Sequence, residues 1–134
     1  MKKDLPKNIV EDIGIAVVLE GETPESRTWY VYLINRKKET ISNVLITSRG
    51  YDFSNGKDIQ TTLLRHSLGD IQGVSFAKIE PIDESVFGLT NEYWLSYYIN
   101  GVIYDKKFIF LPESIVDSNF VKVPILNKPG ILIG

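Results

Sequence analysis

Asn100-Gly101 sits between two runs, 92–99 and 102–111, that are rich in aromatic and β-branched residues. Asn and Gly accommodate the two positive φ angles of a type I′ turn, so the stretch predicts a two-residue β-hairpin whose register follows from the turn. That register sets Ile99 opposite Val102, Tyr97 opposite Tyr104, Leu95 opposite Lys106 and Tyr93 opposite Phe108 on one face. The other face carries Tyr98 with Ile103, Ser96 with Asp105 and Trp94 with Lys107. The first set is the more apolar and is assigned to the core. The second leaves Trp94 and Tyr98 on the non-core face, with Lys107 in cation–π range of Trp94.

The rest of the chain repeats this grammar at short intervals. Residues 13–19 alternate Ile13, Ile15, Val17 and Leu19 against Gly14, Ala16 and Val18, a strand apolar on both faces. After turn chemistry at 21–26, residues 27–35 alternate Trp29, Val31 and Leu33 against Tyr30, Tyr32 and Ile34. A polar connection at 35–39 leads to 41–47, which reads as the second arm of a hairpin. Further strands are expected at 59–65, before a turn at 67–70, and at 74–79, where the alternation is poor and Pro81 ends the run. Residues 83–89 and 113–119 suit single helical turns. The tail is apolar at 121–126 and again at Ile131, Leu132 and Ile133, so it is expected to pack on the domain or on a partner. About seven short strands with no long amphipathic helix point to an all-β, immunoglobulin-like antiparallel β-sandwich, with a small antiparallel β-barrel as the structural alternative. The 134 residues suit a single domain, with 1–11 as an N-terminal extension and 113–134 as the C-terminal tail.

Composition removes several kinds of chemistry. There is no cysteine, hence no disulfide, thiolate ligand or cysteine nucleophile. The formal net charge of -2 supplies no global field for nucleic acid or anionic lipid. No apolar run approaches the ~20 residues that span a bilayer, and acidic residues interrupt the N-terminal stretch, so a cytoplasmic location is expected. His66 is the only histidine. Its neighbours Ser67 and Asp70 do not make a triad, because adjacent side chains on an extended chain point to opposite faces. One imidazole also leaves too few ligands for a histidine-based metal site. The 52–58 loop departs from a calcium loop, with Leu63 where a bidentate glutamate belongs. Gly56-Lys57 lacks the glycine and hydroxyl of a phosphate loop. No cofactor and no metal are expected.

The segments Asn43-Val44-Leu45-Ile46-Thr47-Ser48-Arg49-Gly50-Tyr51, Thr62-Leu63-Leu64-Arg65-His66, Lys78-Ile79-Glu80-Pro81, Asn91-Glu92-Tyr93-Trp94 and Tyr104-Asp105-Lys106-Lys107-Phe108-Ile109-Phe110-Leu111-Pro112-Glu113 carry a likeness that runs over nearly the whole chain. In them it resembles a family of short, uncharacterised bacterial proteins. Some members carry the label phenylalanyl-tRNA synthetase alpha subunit, which would imply ATP-dependent aminoacylation. The chain has neither a Phe/Tyr-Arg-x-Glu segment nor a Gly-rich motif ending in Arg, and the label is read as a misassignment.

These readings converge on a non-catalytic protein-interaction or structural module. Its candidate interaction surface is Trp94, Tyr98, Lys107, Tyr30 and Tyr32. Ile131, Leu132 and Ile133 are the candidate oligomer contact of a homodimer. Two alternatives stand beside it: an enzyme whose residues converge from distant strands, and an RNA- or translation-associated accessory using Arg36, Lys37 and Lys38 with the tyrosines, although nucleic acid is not the favoured partner. The RNA alternative requires retention on RNA at low salt that falls steeply as salt rises; a gel-shift series without retention at low salt removes it.

Overall fold

The computed structural model describes residues 8–134; residues 1–7, most of the expected N-terminal extension, lie outside the described residues. Among the described residues there are ten strands: β1 (Ile13–Glu22), β2 (Arg27–Asn35), β3 (Ile41–Asp52), β4 (Ile59–Gln60), β5 (Leu64–Ile71), β6 (Ser75–Ile82), β7 (Thr90–Ile99), β8 (Val102–Phe110), β9 (Val121–Val123) and β10 (Lys128–Ile133). They form two antiparallel five-stranded sheets. Sheet I has the order β6-β2-β1-β10-β9, and sheet II has the order β4-β3-β7-β8 with β5 also on β3. The sheets do not close on each other, so the architecture is a sandwich and not the barrel alternative.

The periodicity read from the sequence decides what lies between the sheets. Ile13, Ile15 and Val17 of β1 and Val31 and Leu33 of β2 meet Ile46, Tyr93, Leu95, Tyr97 and Phe108 of sheet II in one core. The β7–β8 hairpin has the expected register, from Ile99 opposite Val102 to Tyr93 opposite Phe108. Asn100 and Gly101 both take positive φ, 50° and 76°, as a type I′ turn demands.

The second apolar face of β1 is buried as well, by the chain's own C-terminal segment. β10 pairs with β1, setting Ile131 against Val17 and Ile133 against Ile15. The connection from β9 to β10 lays Ile125 and Leu126 over Ala16, Val18, Tyr32 and Ile34 in a smaller cluster outside sheet I. Close approach is possible because residue 130 is glycine: a Cβ there would lie 2.5 Å from the Val17 carbonyl oxygen.

Four local expectations are corrected. Strands β2 and β3 are not a hairpin but lie in different sheets. The crossover between them is closed by buried Asn35, whose amide nitrogen donates to the carbonyls of Glu39, Ile71 and Gln72 and whose Oδ1 accepts from Lys37 N. Residues 67–70 belong to β5 and not to a turn, with Gly69 at positive φ (71°) where the β3–β5 ladder is irregular. Pro81 does not end β6, because β6 is the edge of sheet I and no ladder donor is required on its free side. The count of about seven becomes ten, since the two-residue β4 and the short tail strands carry too few residues to show a period.

The outer cluster of sheet I has a polar clamp. Glu20 accepts from Tyr32 OH at 2.7 Å and from Lys128 Nζ at 2.9 Å, joining β1, β2 and β10. Burial alone would raise the Glu20 pKa, but the bonds from Tyr32 and Lys128 and the charges of Lys128 and Lys78 outweigh it and hold it below its ordinary 4.5. A carboxyl with a lowered folded pKa stabilises above its unfolded value, and that contribution is lost as pH falls through the folded value. Glu20→Gln is therefore expected to lower the thermal midpoint at pH 7, and the gap to the wild type to close below about pH 4, in melts recorded across that range.

Candidate functional site

The outer faces of the two sheets differ. Sheet I is capped as described, whereas among the described residues no second layer covers sheet II. Its strands alternate, so the residues facing away from the core are Leu45, Thr47 and Arg49 of β3, Glu92, Trp94 and Tyr98 of β7, and Ile103, Lys107 and Ile109 of β8. Trp94 is 47% exposed, Ile103 50%, Leu45 42% and Tyr98 37%. Lys107 lies opposite Trp94 with its Nζ 4.9 Å from the ring centroid. Trp94 Nε1 donates to Asp105 at 3.4 Å.

Charge on this face is neutralised within the face. Glu92 is nearly buried and lies 3.5 Å from Arg49 Nε and 3.8 Å from Lys107 Nζ. Arg49 is also stacked 4.7 Å over Tyr51, whose ring stacks on Phe53. The result is a surface of aromatic and aliphatic side chains in which Arg49 and Lys107 already have partners, while Arg65 of β5, opposite Thr47, is exposed.

Other sequence-derived candidates lie elsewhere. Tyr30 and Tyr32 are on the outer face of sheet I, and Tyr32 is only 2% exposed, bonded to Glu20 beneath the C-terminal cap. They share no surface with Trp94. Arg36 donates to the Gly134 carbonyl, tying the β2–β3 crossover to the C-terminus. Ile131 and Ile133 pack with the main core and Leu132 with the outer cluster, so all three are engaged within their own chain. Asp52 is an ordinary polar turn: its Oδ1 accepts from both N and Oγ of Ser54, which lowers its pKa. Among the described residues no group of three or more His, Asp or Glu could hold a metal ion.

A second constellation is absent from the sequence reading. Regular alternation would turn Glu80 outward, but the β2–β6 ladder shifts register between Val31/Glu80 and Tyr32/Lys78, leaving Ile79 as an extra residue. The bulge keeps Ile79 in the core and also sets Glu80 opposite core-facing Val31. Its carboxylate then accepts from three strands of sheet II: Ser48 Oγ at 2.8 Å, His66 Nε2 at 2.7 Å and Tyr93 OH at 3.0 Å. Burial pushes the Tyr93 phenol well above its usual range, with the Glu80 charge adding to the effect.

Beside the carboxylate is a cavity of about 320 Å³, lined among others by Ser48, Glu80, Asp83, Asn91 and Tyr93. His66 and a carboxylate do therefore meet near a cavity. Yet the carboxylate, not the imidazole, receives the serine hydroxyl, the reverse of the order in which a histidine base would activate serine. As a structural joint the cluster links sheet I to sheet II. Tyr93→Phe should cost about 1–2 kcal/mol and Glu80→Ala about 3 kcal/mol or more, because the latter strands three donors; chemical denaturation measures both. No protein-family model, curated protein or solved structure matches the chain.

Proposed function

We propose that this protein is an immunoglobulin-like interaction module that binds another protein through the outer face of sheet II. The observation that carries this reading is the asymmetry of the sandwich: the chain covers the apolar outer face of sheet I with its own tail and leaves Trp94, Tyr98, Ile103 and Leu45 open on the other side. Large exposed apolar patches mark interaction sites, and Trp and Tyr dominate the energetics of such contacts. The strand order supports the immunoglobulin-like part. In chain order, β6-β2-β1 and β5-β3-β7-β8 correspond to the E-B-A and C′-C-F-G sheets of such domains, with β9 and β10 added beside the first strand.

The chemistry of the face favours one class of occupant. Arg49 and Lys107 are paired with Glu92, and Asp105 lies against Trp94, which leaves Arg65 as a single exposed cation, so the face offers no run of free cations to phosphates. A protein surface that is mainly apolar at its centre and bears few charges is the complement. A photoreactive residue placed at Ile103 is expected to give a discrete protein adduct in the native host. One placed at Lys122, on β9 of the opposite sheet, gives none. Trp94→Ala should weaken formation of the Ile103 adduct by roughly 30-fold, the size of a hot-spot loss. No adduct from position 103, or the same adducts from both positions whatever residue stands at 94, overturns the reading.

A further inference from the structure

The carboxylate of Glu80 has a property that a purely structural joint does not need. Its three partners are two hydroxyls and the imidazole of His66, and that imidazole, which pairs with the carboxylate as an ion only when protonated, is its one ion-pair partner among the described residues. Among the described residues no lysine or arginine nitrogen lies within 4.0 Å of it, and Glu80 has a side-chain exposure of only 13%. Arg49, whose residue lines the same cavity, directs its guanidinium to the outer face, against Glu92 and Tyr51. With a neutral imidazole the carboxylate has no cationic partner, whereas largely buried charges are ordinarily paired.

The cavity supplies what a counter-ion would require. Oε1 of Glu80 already accepts two bonds and Oε2 only one, so Oε2 keeps acceptor capacity. Asn91 donates its amide hydrogens to the carbonyls of Val86 and Leu89, leaving its Oδ1 as an acceptor in the wall. Asp83 adds a second carboxylate to the lining, and Leu64, Pro81, Ile82 and Val86 supply apolar surface. At about 320 Å³ the space is at the small end of ligand pockets.

We infer that this cavity binds a small organic cation, an ammonium or guanidinium on a short apolar chain, whose N–H groups bond Glu80 and Asn91 while the chain lies against Pro81 and Val86. The cation completes the charge of a carboxylate that three strands hold in a fixed orientation, so little reorganisation opposes binding. This site is independent of the open face of sheet II.

His66, the only histidine, reports on the site through its own imidazole NMR signals. The full chain is titrated with butylammonium, butylguanidinium, butanol and butyrate. The expected result is a saturable shift of the His66 signals with one or both cations and none with the alcohol or the carboxylate; the better of the two cations identifies the head group. Glu80→Gln keeps an acceptor for Ser48 and His66, and its amide can donate to the Tyr93 oxygen, but it removes the charge. It should weaken cation binding by about tenfold or more, and Asp83→Asn by about two- to threefold. No saturable shift with either cation, an equal shift with butanol, or undiminished binding in Glu80→Gln overturns the inference. Should Glu80→Gln fail to fold, the comparison of cation with alcohol on the wild-type chain and the Asp83→Asn titration still decide it.

Discussion

Burial of β1 on both of its faces is the constraint from which the rest of the arrangement follows. Ile13, Ile15 and Val17 point into the sandwich, while Ala16 and Val18 point away from it, and all five are essentially inaccessible to water. A sheet with one solvated face would leave the second set exposed, so a further layer is required. The C-terminal hairpin supplies it, with β10 completing the ladder on one side of β1 and the 124–127 connection covering the outer residues. The tail is thereby part of the core. Ile131, Leu132 and Ile133 help close the chain's own sheet.

With that side closed, the outer surface of sheet II is left as an open, partly apolar face among the described residues. Its side chains are not loosely scattered, because Arg49, Glu92 and Lys107 are paired to one another and to the aromatic rings. Such pairing fixes long side chains in place before any partner arrives and lowers the ordering cost of association. Lys106, on the inner-facing register of edge strand β8, sets its ammonium over Phe108 and places a charge where an added strand would have to pack. That charge disfavours extension of sheet II at β8.

Both the face and the Glu80 cluster depend on how strands carry side chains, but they differ in how far a sequence can reveal them. A regular strand with a two-residue turn has one register, and from Asn100-Gly101 alone Trp94, Tyr98 and Lys107 could be set on one face and Tyr93, Leu95 and Tyr97 on the other. A bulge breaks that logic. It moves every later side chain to the opposite face, and nothing in a single sequence says which residue is the extra one. Ser48, His66, Glu80 and Tyr93 come from four strands in two sheets, and no spacing rule joins them.

What the sequence determined by itself is the class of fold, the anchoring hairpin and its register, and which face of that hairpin is apolar. These rest on local rules: turn residues suited to positive φ, the two-residue period of a strand, and the preference of branched and aromatic side chains for pleated surfaces. Only the tertiary structure decided that β2 and β3 part into different sheets, that the tail caps sheet I, that Tyr32 is buried while Trp94 is open, and that Glu80 turns inward. Each of these is a choice among long-range pairings of similar local quality, and it is settled by which arrangement buries both faces of β1 and the interior together while leaving most buried polar groups bonded.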